Sequence, residues 1–302
     1  MEIDSRLLRY FVAVAEELSF SRAAARLHLS QPPLSHAIRQ LEDNLGVRLF
    51  ERSSRHVALT PAGQALYKEA RFLLQRNADV RQLVRRIHAG LEGEVKIGFV
   101  GSMLYRGLPA WLTHCQSRYP GVARALQELN SAEQIGLVAR GGLDIGLVHA
   151  NPVTDELTAE TLLIEPFVLC LPAGHVLAGN GHVDLAVLAG EPFIFFASAV
   201  SPVYYELLLR MCLDAGFMPT VRYEARHWLS AVSLVAQGMG VSIVPRSLAA
   251  CGLEGVAYLR FDHTQRSETQ MIWARGSASR IVHNHLDLLR DWFAARAGPA
   301  LD

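Results

Sequence analysis

Two adjacent prolines, Pro32 and Pro33, interrupt an otherwise helical pattern over residues 19–46. They constrain the chain more than any other feature. A proline in a helix interior costs about 3 kcal/mol, because it removes a hydrogen bond and clashes with the preceding turn. In the first turn that cost vanishes, since the backbone N–H groups there have no intrahelical partner. The pair therefore ends one helix and opens the next, with Ser30 or Gln31 as the natural N-cap.

Before the prolines, "RLLRYFVAVAEELS" places Leu7, Tyr10, Phe11, Val14 and Leu18 at helical spacing. A short helix over about Ser21–His28 follows, with Ala23, Ala24 and Leu27 inward and Ser19 or Ser21 as its cap. After the prolines, Leu34, Ile38, Leu41 and Leu45 form a buried stripe. The opposite face displays Gln31, Pro32, Ser35, His36 and Arg39, side chains that can read base edges or phosphates. A short helix, a tight turn and a second helix with a polar outer face make a helix-turn-helix. A solvated face on a small bundle is the bland alternative. "RLFERSSRHVALT" adds a hairpin of two short strands, Leu49–Arg52 and Val57–Leu59, which brings Arg52, Arg55 and His56 beside the helix as a wing.

Thr60 then caps a helix with Pro61 in its first position, running to about Ala89. Leu66, Ala70, Leu73, Asn77, Val80, Val84 and Ile87 step by four and three along it. That is a coiled-coil seam with one polar position, and it implies dimerisation. The "GLEGE" break closes this part.

The chain has 302 residues, half of them hydrophobic and 19% charged, so it is an ordinary globular composition of two or three domains. Net charge is zero, yet residues 1–90 carry 14 basic against 9 acidic side chains and residues 91–302 carry 15 against 20. One end can therefore face a polyanion. The chain has no long apolar run and no apolar leader after "MEIDSRLLRY". A cytoplasmic protein without membrane contact is expected. Cys115, Cys170, Cys212 and Cys251 form no C-x-x-C pair and read as reduced core thiols. No G-x-S-x-G, P-loop or H-E-x-x-H motif occurs, "GMGVSI" lacks the third glycine of a dinucleotide fingerprint, and "HNH" at 283–285 has no partner cluster. No enzyme, cofactor or metal site is expected.

From residue 91 onward strands alternate with helices. "EVKIGFV", a helix opening at Gly101–Ser102 and running through Leu104, Leu108, Trp111, Leu112 and Cys115, "ARALQELN", a helix capped by Ser131 and the strand after "GGLD" make βαβαβ. "EPFVLCLPAG", "EPFIFFA", "SPVYYELLLRMCLDAG", "TVRYEA", "HWLSAVSLVAQGMG", "VSIVP" and "ETQMIWARG" repeat the theme, and residues 280–296 form the last helix. Two α/β lobes joined by crossing strands enclose a cleft, where ligands favour the carboxyl ends of strands.

The N-terminal segment, with its "SFSRAAARLHLSQPPLS" block, its "LEDNLGVRLFER" run and its "LTPAG" helix start, closely resembles the winged helix of LysR-type transcriptional regulators. The resemblance is dense over about 60 residues and looser beyond. The "QPPLS" version is similar to members that control aromatic-compound catabolism. The resemblance implies an α/β protein with an all-α-type N-terminal part. It implies a winged helix-turn-helix over 1–60, a linker and dimerisation helix over 61–90, and a two-lobed effector domain over 91–302, similar to periplasmic solute-binding proteins. The lobes would be 91–163 plus 267–302, and 164–266. It further implies promoter DNA, a small-molecule effector, a second copy of the chain and RNA polymerase as partners, with dimers pairing into tetramers. Carried over by position, Ser21, Gln31, Pro32, Ser35, His36, Arg39, Arg52 and Arg55 face DNA. Gly101, Ser102, Met103, Ser131, His149, Phe196, Ser198 and Val200 line the effector cleft, with Pro245 near its hinge. The expected effector is a carboxylate or aromatic metabolite. A redox-responsive member is the alternative: Cys212 stands near the second cysteine of peroxide-sensing relatives, but the first is absent from "SAVSPVYY".

Overall fold

The computed structural model describes residues 4–52 and 56–296. It divides between Arg86 and Ile87 into two compact units.

The first unit opens with α1 (Ser5–Glu17), α2 (Phe20–Arg26) and α3 (Gln31–Leu45). The caps set these boundaries. Ser19, not Ser21, caps α2, its hydroxyl accepting from the Arg22 N–H at 3.4 Å. Ser30 occupies the cap position of α3 without a side-chain cap bond. A cap hydroxyl bonds the N–H of the second or third helical residue, and here those are Pro32 and Pro33, which have none. Leu18, expected in the stripe of α1, instead ends that helix in the left-handed conformation and is exposed.

Strands β1 (Phe50–Arg52) and β2 (Val57–Leu59) pair antiparallel. The helix α4 (Pro61–His88) follows, and the division between units falls near its end. The Thr60 hydroxyl accepts from the Gly63 N–H at 2.9 Å and donates to the Arg48 carbonyl at 2.8 Å. Gly63 must be glycine, because a Cβ there would overlap the Leu49 carbonyl oxygen. Leu7, Phe11, Val14, Leu34, Ile38, Leu41, Phe50 and Ala70 are buried in one core.

The second unit begins with β3 (Gly93–Phe99), a 3-10 turn (Gly101–Leu104) and α5 (Leu108–Arg118). A single helix from Ser102 to Cys115 was expected. Pro109 decides otherwise: it would sit in that helix's interior, so the chain breaks at Gly107 (φ +103°) and restarts with Pro109 in the first turn. β4 (Val122–Glu128), α6 (Ser131–Ala139) and β5 (Ile145–His149) complete a parallel β4–β3–β5 array.

The 16-residue β6 (Leu157–Pro172) spans both lobes. The second lobe holds β7 (Pro192–Phe196), α7 (Pro202–Asp214), β8 (Thr220–Ala225), α8 (Trp228–Ala236), β9 (Ser242–Pro245) and β10 (Val256–Leu259). The chain returns through β11 (Arg266–Ala274) and ends in α9 (Arg280–Ala294). β6 pairs with β11 as far as Pro166, and with β9 and β10 from Phe167 onward. Separate cores fill the lobes, one around Ile97, Trp111 and Leu289, the other around Phe193, Leu208 and Val232. Among the described residues, no helix is long and apolar enough to cross a membrane.

Candidate functional site

In the first unit, the buried stripe of α3 turns the other side outward. Leu34, Ile38 and Leu41 are completely buried, whereas Gln31, Pro32, His36 and Arg39 are exposed and Ser35 is half-buried. The Ser21 hydroxyl donates to the Gln31 side-chain oxygen at 3.1 Å, which ties α2 to the start of α3. Arg39 reaches back to the Ser35 hydroxyl at 3.4 Å. Ser21, Gln31, Ser35, His36 and Arg39 thus present amide, hydroxyl, imidazole and guanidinium groups on this side, with Pro32 among them.

Arg52 does not share in it. Its guanidinium pairs with Glu42 at 2.6 Å and lies over the Phe20 ring, 4.9 Å from its centroid. Glu42 is buried because it also accepts from the Leu49 and Phe50 N–H groups at 2.9 and 3.2 Å. Arg52 is thus part of the anchor that fixes the hairpin to α3. Arg55 lies outside the described residues. Along α4, Ala70 faces the unit's own core and Leu66 packs beside it, while Leu73, Asn77, Val80, Val84 and Ile87 are exposed.

In the second unit, a cleft of about 1110 Å³ opens between the lobes. Its walls contain Gly101, Ser102, Ser131, His149, Phe196 and Val200, as expected by position. Two expected residues are elsewhere. Met103 is completely buried in the core of the first lobe, because the 3-10 turn points it inward. Ser198 binds the Glu224 carboxylate through its N–H (3.0 Å) and hydroxyl (3.3 Å). Pro245, expected near the hinge, ends β9 opposite Phe167, where β6 changes partners, and is buried.

The walls also contain residues the sequence reading missed: Tyr105, Glu128, Asn130, Ser201, and above all Arg226, His227, Trp228 and Ser230 at the start of α8. The signal was present, since α8 begins directly after the carboxyl end of β8, where ligands gather.

The cleft chemistry is mainly that of neutral groups. The Ser131 hydroxyl accepts from the His149 N–H at 3.2 Å. The His149 ring lies against that of Tyr204, with centroids 4.2 Å apart and the planes tilted by 40°. Burial and the nearby Arg106 charge hold its pKa well below the ordinary histidine value, so it is a neutral imidazole. The Ser102 hydroxyl, His149 Nδ1 and Trp228 Nε1 are buried without a hydrogen-bond partner.

Behind this wall lies a fully buried arginine that the sequence did not announce. Arg106 pairs with Glu165 at 2.5 Å and donates to the hydroxyls of Ser247 (3.3 Å), Ser267 (2.6 Å) and Thr269. Glu165 also accepts from the Ser247 N–H and hydroxyl, at 2.6 and 2.9 Å. Ser267 lies 2.5 Å from the Tyr204 hydroxyl. The network joins residues from both lobes to both crossing strands.

Residues 5–64 match the model for bacterial regulatory helix-turn-helix proteins of the LysR family, and residues 88–294 match the LysR substrate binding domain. The chain is 37% identical over 277 residues to an uncharacterized HTH-type transcriptional regulator, YnfL, of Escherichia coli K12, which covers 91% of this chain and 93% of that protein. The crystal structure of CbnR, a LysR family transcriptional regulator, superposes with a TM-score of 0.87 at 27% identity, over 95% of this chain and all of CbnR. Full-length CbnR complexed with its target DNA gives a TM-score of 0.84, also at 27% identity, over 96% of this chain and all of that one. A proline-opened helix with an outward polar face, followed by a two-lobed cleft domain, thus has its counterpart in both family models, and the chain belongs to the LysR family of transcriptional regulators.

Proposed function

We propose that the outward face of α3 reads the operator. Gln31, Ser35 and His36 meet base edges in the major groove, and Arg39 meets a phosphate. The observation that carries this is a face of four different polar or cationic side chains on the first three turns, Gln31, His36 and Arg39 exposed and Ser35 half-buried, opposite the completely buried stripe of Leu34, Ile38 and Leu41. Helix-turn-helix proteins present this part of the recognition helix to DNA, and CbnR, of the same fold, is known complexed with target DNA. Ser21 supports the face by orienting Gln31, and Arg52 supports it by fixing the hairpin.

Two copies associate through α4, and pairs of dimers form tetramers. The exposed Leu73, Val80, Val84 and Ile87 support this reading. A carboxylate or aromatic metabolite occupies the cleft and shifts one lobe against the other. Such a ligand acts by preferring one arrangement of the assembly over another. The change in spacing of the DNA-binding pairs then alters DNA bending and the access of RNA polymerase.

The test compares binding of the purified protein to a promoter fragment from its own genome and to a scrambled fragment, across salt concentrations. Arg39→Ala is expected to weaken both by the same factor and to lower the salt slope by about one. Gln31→Ala is expected to narrow the preference for the promoter. A Gln31→Ala protein with its full preference intact overturns the assignment of α3.

A further inference from the structure

We infer that the cleft is built for a planar aromatic ring carrying a single carboxylate, with the ring against Phe196 and Trp228 and the carboxylate at the start of α8 beside Ser102. The inference rests on the reading of this cleft as the effector site.

The ring seat comes from strand and helix ends. Phe196 closes β7 and Trp228 opens α8, and their rings lie 4.7 Å apart at 35°. Tyr204 stands behind both, at 6.2 and 5.7 Å, and holds His149 at 4.2 Å. Val100, Leu104 and Leu229 supply further apolar wall. Flat π-faces with aliphatic neighbours favour a flat, apolar body.

One part of the cleft, where α8 starts, is lined by donors. The N-cap residue of α8, His227, makes no side-chain cap bond, and Trp228, Leu229 and Ser230 of its first turn all line the cleft. The N–H groups of that turn therefore await an acceptor, and the helix dipole favours a negative one. Two further groups need partners. The Ser102 hydroxyl and the Trp228 indole N–H lack any, although these residues are only 2% and 4% exposed. An indole can only donate. A carboxylate answers such a set of donors.

One carboxylate is the limit. Arg106 is committed to Glu165 behind the wall, and His149 is neutral. Arg226 lines the cleft but is exposed, so it lies at the rim. Glu128 and Glu133 already contribute two carboxylates to the walls, the first 4.0 Å from His227 and the second spent on the α6 capping box. A second ligand anion would find no unspent buried cation.

The test uses the full-length protein, with thermal shift and tryptophan emission as readouts. The probes are benzoate, salicylate and 2-naphthoate, against benzamide, cyclohexanecarboxylate, phthalate and succinate. At least one aromatic monocarboxylate is expected to bind tenfold or more tightly than every probe of the second group. Ser102→Ala is expected to weaken it severalfold. Trp228→Phe should remove the emission change while a thermal shift persists. Equal or tighter binding of phthalate, benzamide, cyclohexanecarboxylate or succinate overturns the inference, and so does the absence of binding by all three aromatic acids. Ser230→Phe, at an exposed position of the wall, separates the two readings. If succinate binds and this variant blocks it, the cleft stands as the effector site and only the aromatic class falls. If binding of any probe ignores both Ser102→Ala and Ser230→Phe, the cleft reading falls as well.

Discussion

Arg106 sits in the run "SMLYRGLPAW", where nothing in the periodicity marks it as different from a surface arginine. Its side chain is nevertheless 0% exposed and paired with Glu165. Removing one partner of a buried ion pair strands the other charge, at a cost of about 3–5 kcal/mol, whereas removing both is often nearly neutral. Arg106→Met is therefore expected to lower the melting temperature by on the order of 10 °C, and Arg106→Met with Glu165→Gln should recover a good part of it. Calorimetry of the three proteins checks this; equal melting of single and double variants would show that the pair carries no special weight. Pro32 and Pro33 are the opposite case. Their chemistry is local, so their place in the first turn of α3 could be read directly, and the same lack of N–H groups explains why Ser30 makes no cap bond.

At the scale of elements, α4 has two sides. Taking about 100° per residue, Ala70, Leu74 and Tyr67 fall on one side and pack on the core of the first unit. Phe72, Leu73, Val80, Leu83, Val84 and Ile87 fall on another and are 45–66% exposed. The four-three stepping was legible in the sequence, but not that its first positions turn toward the unit's own core. A contiguous exposed apolar stripe of this kind marks an association surface. Val80→Glu with Val84→Glu is expected to shift the protein toward monomers in analytical ultracentrifugation without lowering its helical content. An unchanged sedimentation coefficient would place the dimer contact elsewhere.

For the whole molecule, two buried histidines and one half-buried one set an acid limit on stability. His149, His263 and His285 all have pKa values held below the ordinary histidine range, in each case chiefly by burial. The unfolded chain takes up these protons near pH 6.5 while the folded chain resists them. Stability is therefore full above about pH 6.5 and falls as pH drops below it, until the depressed folded values are reached. Each group contributes at most about 1.4 kcal/mol per pH unit in that window. Thermal melts from pH 8 to 5 should show the decline, and His285→Phe, within the ring cluster of Trp111 and Tyr119, should make it shallower. A flat profile would mean that these rings are not held neutral. The sequence by itself determined the kinds of element, most of their boundaries and the outward face of α3, because periodicity, caps and proline act within a turn or two of chain. Only the tertiary structure decided which side chains meet in the cleft. Met103 and Ser198 lie close in sequence to cleft residues yet turn away from it, while Arg226 and Trp228 arrive from a distant segment. That selection depends on how β6 changes partners and how the strand ends of the two lobes align, which no local pattern encodes.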